Sequence, residues 1–251
     1  MSKINQNRLF MHCPSFKEGM AESDQSQGVT APAFGKAITG ELITLPSFEG
    51  ITTVPYAELL DSRRSVRSYS STPMTGAQLA FMLWSVNGIQ TIRSEVATFR
   101  PVPSGGARHP FETYITVRNV EGLTPGLYHY LPTENMGEKK VTLERLGDIP
   151  NYEDTITEMV AGQAWASKAP VVLFYSCIPY KAEWRYHEMA HRVVLIDLGH
   201  VGQNAMLSAA ALGLGSCCMA AYDQKVCDKL IGLDGLNEYT VYGVSVGAIA
   251  E

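Results

Sequence analysis

The feature that most constrains the fold is a long apolar stretch at residues 191–215, HRVVLIDLGHVGQNAMLSAAALGLG. If this stretch is an α-helix, apolar residues surround most of its circumference, so the helix must be covered on several sides. Small residues allow neighbouring elements to approach it closely. These are Gly199, Gly202, Ala205, Ala209 and Ala210. We therefore predict a central helix, or one that packs between two subunits.

Apolar runs on either side of this stretch predict strands. The run APVVLFYSCI (169–178) is continuously apolar, as is typical of a central strand buried on both faces, and YTVYGVSVGAIA (239–250) resembles a second one. Shorter β-branched and aromatic runs at 111–120, 126–132 and 140–146 predict a meander of strands. Helices combined with strands of this kind indicate an α+β fold.

An amphipathic helix is predicted after Thr75, which is a suitable N-cap residue. Apolar residues recur at helical spacing until Asn87-Gly88, where the helix should end. These residues are Leu79, Met82, Leu83 and Val86.

Residues 1–50 are polar, are interrupted by Pro and Gly, and show no sustained periodicity. We predict that they form an N-terminal arm or wrapping segment, and that residues 51–251 form a single domain. The composition, with 45% hydrophobic and 18% charged residues, is ordinary for a folded globular protein.

Charge and cysteine content exclude several classes of protein. Twenty Lys and Arg against 25 Asp and Glu give a net charge of -5, which predicts no general attraction to nucleic acid or anionic membranes. No apolar run is long enough for a signal peptide or a membrane span, so we expect a cytoplasmic protein.

An odd number of cysteines without C-x-x-C spacing predicts reduced thiols. They are Cys13, Cys177, Cys217, Cys218 and Cys227.

Residues 61–70, DSRRSVRSYS, place Arg63, Arg64 and Arg67 within five positions. Guanidinium groups bind the oxygens of a phosphate through paired, charged hydrogen bonds, and Ser65 adds a hydroxyl and a backbone N–H. The cluster therefore suits a phosphate group. The alternative is a basic surface exposed to solvent.

A second unusual stretch, RPVPSGGARHPFETY, places Pro103, Ser104, Gly105 and Gly106 just before a predicted strand. Paired glycines let backbone N–H groups converge and let a flat or anionic ligand approach the main chain. The spacing matches neither the Rossmann nor the Walker pattern. The alternative is an ordinary turn into a strand.

Taken in order, these features resemble the nitroreductase-like FMN-dependent superfamily, and within it the SagB-type dehydrogenases that oxidise azolines in peptide toxin biosynthesis. The resemblance runs from about Tyr56 to Val246. It is carried by SRRSVRSYS, LAFMLWSVNGI (79–89), PSGGARHPFETYITV (103–117), GLYHYLP, DLGHVGQNAMLSAAALGLGSC and AAYD (220–223). It implies a nitroreductase-like fold, with a mixed, mostly antiparallel central sheet flanked by helices in an intertwined homodimer.

The resemblance also implies a function. Two FMN sites would lie at the dimer interface, and the flavin would pass hydride or electrons from NADH, NADPH or an organic donor to a small organic acceptor. This reaction requires no dedicated catalytic side chain and no metal. We expect no nucleic acid or membrane partner. A peptide-modifying partner protein, as in SagB-type systems, is not visible in a single chain.

Site residues follow from the same resemblance. Arg63 and Ser65 would hold the FMN phosphate with Arg64 beside them, and Arg67 would face the pyrimidine edge of the flavin, where negative charge develops on reduction. The turn Pro103, Ser104, Gly105 and Gly106 would come from the other subunit. Cys218, Met219, Ala220 and Ala221 would run along the flavin, with a backbone N–H near Ala220 reaching N5.

Two departures from the family pattern affect this assignment. The chain ends GVSVGAIAE, without the basic residue that contacts the phosphate in many relatives, so phosphate affinity would depend on Arg63 and its neighbours, with Arg108. In addition, Cys217 and Cys218 stand where relatives often carry bulkier or proline residues, so the resemblance does not define the shape of the pocket there.

Two alternatives remain. The first is a zinc-dependent hydrolase: the motif HEMAH (187–191) satisfies H-E-x-x-H, whose histidines can ligate zinc when they lie one helical turn apart while the glutamate acts as base. The expected helix permits that geometry. A third ligand is missing, however, because His200 lies beyond the usual spacing and the nearest downstream glutamate is Glu238. The other alternative is a protein that binds flavin without turnover.

Overall fold

The structure is a computed structural model that describes residues 2–10 and 20–250. Its α-helices are α1 (Lys3–Leu9), α2 (Tyr56–Ser62), α3 (Gly76–Asn87), α4 (Tyr152–Met159), α5 (Tyr180–Tyr186), α6 (Ala190–Ala211) and α7 (Gln224–Ile231). Its strands are β1 (Glu41–Thr44), β2 (Thr91–Ser94), β3 (Ala97–Phe99), β4 (Phe111–Val117), β5 (Gly126–Tyr130), β6 (Thr142–Gly147), β7 (Val171–Cys177), β8 (Gly215–Met219) and β9 (Tyr239–Gly247).

Seven strands form one sheet in the order β1-β6-β5-β4-β7-β9-β8, and every neighbouring pair is antiparallel. The central strand β7 is buried along its whole length, as its apolar sequence predicts. Strands β2 and β3 form a separate hairpin. The predicted α+β fold with a mostly antiparallel central sheet is confirmed. The edge strand β8 is an addition that no sequence pattern indicates.

The sheet is covered on both faces. Helices α3 and α6 pack on one face, where Leu79 and Leu83 join Val201 in the main core. Helices α4 and α7 cover the other face, with Ile156 among the buried side chains there. The close approach predicted for α6 is clearest at Gly202, where a Cβ atom would lie 2.8 Å from the Tyr242 ring.

Helix α3 begins where the sequence predicts. The Thr75 hydroxyl accepts a hydrogen bond from the Gln78 amide at 3.1 Å, and the Gln78 side chain accepts one from the Thr75 amide at 2.9 Å. This reciprocal pair is a capping box, which satisfies two backbone donors at the start of the helix. The helix ends at Asn87, as predicted.

Residues 20–50 pack on the rest of the chain. Strand β1 pairs with β6, and Leu45 and Phe48 enter the core. Before β1 the chain crosses α5, where the Gln25 amide donates to the Trp184 carbonyl at 2.8 Å and the Trp184 indole donates to the Val29 carbonyl at 2.9 Å. Such contacts suit a wrapping segment. The domain boundary near residue 50 stays a prediction.

Two expectations from composition concern the described residues. Cys177, Cys217, Cys218 and Cys227 are free thiols, and Cys13 lies outside the described residues. None of the helices within 2–10 and 20–250 is both long and apolar enough to cross a membrane.

Candidate functional site

A cavity of about 390 Å³ lies between the end of α2, the C-terminal half of α6 and strand β8. Its lining includes Arg63, Arg64, Met206, Ser216 and Ile249. The cavity therefore combines two cationic side chains at one side with apolar and small polar groups at the other.

Helix α2 ends at Ser62, and the chain then turns so that the two arginines face the cavity. The Arg63 amide still donates to the Leu59 carbonyl at 3.0 Å, while its guanidinium lies 4.0 Å from the Met206 sulfur. The Arg64 guanidinium donates to the carbonyls of Asp61 at 2.7 Å and Arg63 at 2.8 Å. Neither arginine forms an ion pair with any described residue. Their charge is therefore available to an anion, and this donor set fits a phosphate.

The arginine segment, residues 61–70, continues beyond Arg64 and runs along strand β8. Ser65 forms a parallel bridge with Ser216, and the Val66 amide donates to the Ser216 carbonyl at 2.9 Å. Arg67 is exposed, and its guanidinium lies 5.7 Å from the centre of the Trp165 ring, a cation–π distance. Ser65 and Arg67 thus lie beside the strand that leads into the third predicted group.

That third group begins in β8 and continues beyond it. Cys218 is half-buried with its sulfur 3.7 Å from the Gly202 carbonyl, and burial raises the pKa of its thiol. Met219 is buried, whereas Ala220 and Ala221 follow the strand and are exposed. The structure therefore brings the arginine segment and residues 218–221 to the same edge of the sheet.

The glycine turn is held on α6 by one buried carboxylate. The Ser104 hydroxyl donates to Asp197 at 2.6 Å, and the Gly105 amide donates to the same carboxylate at 3.0 Å. The His109 amide donates back to the Ser104 hydroxyl at 2.9 Å. Burial raises the pKa of Asp197, although these hydrogen bonds oppose the shift. Gly106 has a φ of 56°, which favours glycine, and Pro103 is exposed at the start of the turn.

Arg108 belongs to this turn and lies apart from Arg63 within one chain. Its guanidinium stacks 4.9 Å from the centre of the Trp184 ring. It donates to the carbonyls of Gly106 at 3.2 Å and Ala107 at 3.5 Å, and to that of Val96.

Within one chain, the glycine turn and the arginine-lined cavity contact different parts of α6. Asp197, which anchors the glycine turn, precedes Met206, which lines the cavity, by nine positions on α6. At 1.5 Å per residue this separates them by about 13.5 Å along the helix axis. The expectation that the glycine turn serves a second subunit's site agrees with this separation.

The HEMAH motif does not lie on one continuous helix, which corrects the expected local geometry. His187 follows the last residue of α5 with a φ of 47°, and α6 begins at Ala190. His191 is paired with Glu183 at 2.8 Å. Among the described residues, no group of three His, Cys, Asp or Glu side chains is placed to hold a metal ion.

Sequence reasoning did not identify three residues of this region: Asp197 as the anchor of the turn, and Met206 and Ser216 in the cavity. A carboxylate inside an otherwise apolar helix is the one signal that could have pointed to Asp197, because buried acidic residues are rare without partners. Met206 and Ser216 carry no such signal.

Comparison with known proteins identifies the family. The profile of the Nitroreductase family matches residues 60–248, which is most of the chain. The chain belongs to the nitroreductase family. Family membership makes this nitroreductase an oxidoreductase of the flavin-dependent class.

Individual relatives support the assignment to this family. MJ1384 of Methanocaldococcus jannaschii, which carries the nitroreductase name, is 32% identical over 206 residues, covering 82% of this chain and 95% of that protein. The trifolitoxin-processing protein TfxB of Rhizobium leguminosarum bv. trifolii is 31% identical over 54% of this chain, and the microcin B17-processing protein McbC of Escherichia coli is 30% identical over 54%. The matches cover only 36% of TfxB and 49% of McbC. The predicted resemblance, including that to the SagB-type branch, is confirmed.

Solved structures show the same fold. A nitroreductase-named protein of Ralstonia eutropha JMP134 superposes with a TM-score of 0.64 at 20% identity, covering 88% of this chain and 96% of that one. The Escherichia coli microcin synthetase McbBCD complex with truncated pro-MccB17 contains a chain with a TM-score of 0.60 at 21% identity, covering 93% and 90%.

Proposed function

We propose that this nitroreductase is an FMN-dependent oxidoreductase that works as a homodimer. It would transfer hydride or electrons from NADH, NADPH or an organic donor to a small organic acceptor. The observation that carries the proposal is the pair of guanidinium groups, Arg63 and Arg64, that line a cavity of about 390 Å³ without an acidic partner.

The chain's own residues would bind and orient the cofactor. Arg63 and Ser65, with Arg64 beside them, would bind the phosphate, and Arg67 would stabilise negative charge at the pyrimidine edge of the ring. Backbone groups after β8, near Ala220, would face the reactive edge of the ring. The bound flavin supplies the hydride and electron chemistry itself.

A second copy of the chain would complete each site by contributing Pro103 to Gly106. Support comes from exposed apolar side chains on two helices, Leu195 and Ile196 on α6 and Tyr56 and Leu60 on α2. Exposed large apolar side chains are typical of a protein interface. The residue that anchors the turn, Asp197, lies about 13.5 Å along the α6 axis from Met206 in the cavity of the same chain, which favours a role for the turn in the other site.

A narrower candidate activity is the oxidation of azoline rings in a peptide, as in SagB-type dehydrogenases. The similarity to TfxB and McbC, both named as processing proteins of peptide products, favours it. Anaerobic assays of the purified protein would compare NADH and NADPH as donors, and nitroaromatics, quinones and an azoline-containing peptide as reactants. If none of these donors or substrates reduces the bound flavin, the result would favour the alternative of a protein that binds flavin without turnover.

The phosphate assignment is tested by Arg63→Ala. Loss of one or two charged hydrogen bonds should weaken FMN binding by about 10- to 100-fold. Flavin fluorescence titration of protein freed of cofactor measures this affinity. Arg118→Ala removes an equal charge at a remote site paired with Glu153, and should leave FMN affinity unchanged. Equal affinity in wild type and Arg63→Ala would contradict the assignment.

A further inference from the structure

A small cavity lies beneath the N-terminal segment on the side of the glycine turn. Its lining consists of Pro32, Ala33 and Phe34 from that segment, and of Arg100, Arg108 and Lys181 from the domain below. The cavity has a volume of about 10 Å³. This is room for about one particle the size of a water molecule.

The three cationic side chains at this cavity are all deeply buried. Arg100 and Arg108 are each 8% exposed, and Lys181 is 6% exposed. Withdrawing a charge from water costs several kcal/mol unless an opposite charge lies close by. The structure should therefore provide counter-charges for all three.

Only one of the three cations has a carboxylate partner. The Lys181 ammonium donates to Glu112 at 2.7 Å and to the Phe34 carbonyl at 3.0 Å. Glu112 is itself shared with His129, at 3.1 Å. Burial would raise the pKa of Glu112, but Lys181 and His129 outweigh burial and hold that pKa well below its usual range.

The two arginines donate to neutral groups. Arg100 donates to the Thr98 hydroxyl at 3.3 Å, the Asn87 carbonyl at 3.2 Å and the Asn87 side chain. Arg108 donates to backbone carbonyls and stacks on an indole ring. Within 2–10 and 20–250 neither arginine has an ion-pair partner, and no hydrogen bond occupies Nη2 of Arg100 or Nη1 of Arg108. Positive charge at the cavity thus exceeds negative charge.

A neighbouring histidine responds to this excess. His109 is buried beside the cavity, and burial together with the charge of Arg100 lowers its pKa to about 3, with further contributions from Arg108 and Lys181. Burial also lowers the pKa of Arg100 to about 10. Glu112 opposes the shift at Arg100, so it is the pKa of His109, lowered in part by three cations, that indicates positive potential beside the cavity.

We propose that the cavity beneath Pro32–Phe34 binds a single halide-sized anion, chloride in the cell, between Arg100, Arg108 and Lys181. A chloride ion supplies the missing negative charge and accepts hydrogen bonds from several directions. A monatomic anion suits a cavity of this size better than a phosphate or a free carboxylic acid does. Because the segment 32–34 forms its outer wall, the anion fixes that segment to the domain. The site is separate from the cavity at Arg63 and Arg64, although Arg108 also belongs to the glycine turn that the proposed function assigns to the partner's flavin.

Thermal unfolding at constant ionic strength tests the proposal, with potassium gluconate replaced stepwise by chloride or bromide. A ligand of the folded state raises Tm in a saturable manner, whereas gluconate is too large to enter. We expect chloride and bromide to raise Tm by several degrees and to slow hydrogen exchange in residues 29–40. Crystals grown in bromide should show an anomalous peak at the cavity.

A tethered carboxylate provides a matched pair of variants. Ala33 is exposed but also lines the cavity, so Ala33→Glu places an acidic side chain beside the cavity, and should raise Tm in gluconate while removing most of the chloride-dependent shift. Ala37→Glu adds the same charge to the same segment at an exposed position outside the cavity, and should keep the shift. The proposal is overturned if chloride and gluconate give the same Tm in the wild type, or if both variants keep the shift.

Discussion

At the scale of single residues, His109 gives the fold a defined sensitivity to acid. Its ring nitrogen lies 3.0 Å from the Thr98 carbonyl, and burial and Arg100 lower its pKa from 6.5 to about 3. Between these values the unfolded chain binds a proton that the folded chain does not. The stability contributed by neutral His109 is therefore fully present above about pH 6.5 and is lost as the pH falls towards about 3.

We expect His109→Gln to reduce this acid sensitivity. The slope of the free energy of unfolding against pH should fall by up to about 1.4 kcal/mol per pH unit between about pH 6 and pH 4, the effect of one proton. Denaturant unfolding at several pH values measures the slope. His191→Gln serves as the control, because His191 is exposed and paired only with Glu183. An unchanged slope in His109→Gln would show that another group takes up the proton.

At the scale of secondary-structure elements, the start of α3 depends on Thr75. Thr75→Ala removes the acceptor for the Gln78 amide, so the free energy of unfolding should fall by about 1 kcal/mol. Thr75→Ser keeps a hydroxyl at the N-cap and should recover most of the loss. Denaturant midpoints of the three proteins measure the difference. Equal losses in both variants would assign the effect to the Thr75 methyl group instead of to the cap.

Elements with a strong repeating pattern could be predicted from the sequence. The apolar run of β7 and the spacing of apolar residues in α3 and α6 each indicate one structure, and the chain adopts it. Strand β8 could not be predicted in this way. Its sequence, GSCCM, contains no β-branched or aromatic residue, and it is a strand because β9 and Ser65 pair with it. The HEMAH region looks helical locally, but the chain turns at His187 between two helices.

At the scale of the whole molecule, the sequence indicates the charged residues of the cavity better than it indicates how the cavity is assembled. Arg63 and Arg64 stand out as local charge, and both line the cavity. Asp197 and Met206 acquire their roles only because α6 carries the glycine turn near one end and the cavity near the other. Distances of this kind depend on tertiary structure, which a short motif does not encode.

The proposed dimer predicts that one surface charge abolishes both assembly and cofactor binding. Ile196 is 53% exposed on α6, and burial of such a side chain contributes about 1.5–3 kcal/mol to an interface. Ile196→Glu replaces this gain with the cost of burying a carboxylate without a partner. We expect a monomer by sedimentation velocity, together with loss of bound FMN, although the arginines at residues 63 and 64 are intact.

Leu236→Glu separates this effect from a general effect of added charge. Leu236 is 75% exposed in the loop before β9, so its replacement should change neither the sedimentation coefficient nor FMN retention. Two other outcomes for Ile196→Glu would contradict the proposed dimer in different ways. A dimer that keeps FMN would place the interface elsewhere on the molecule. A monomer that keeps FMN would show that one chain forms a complete site, and that the glycine turn does not serve a partner's cofactor.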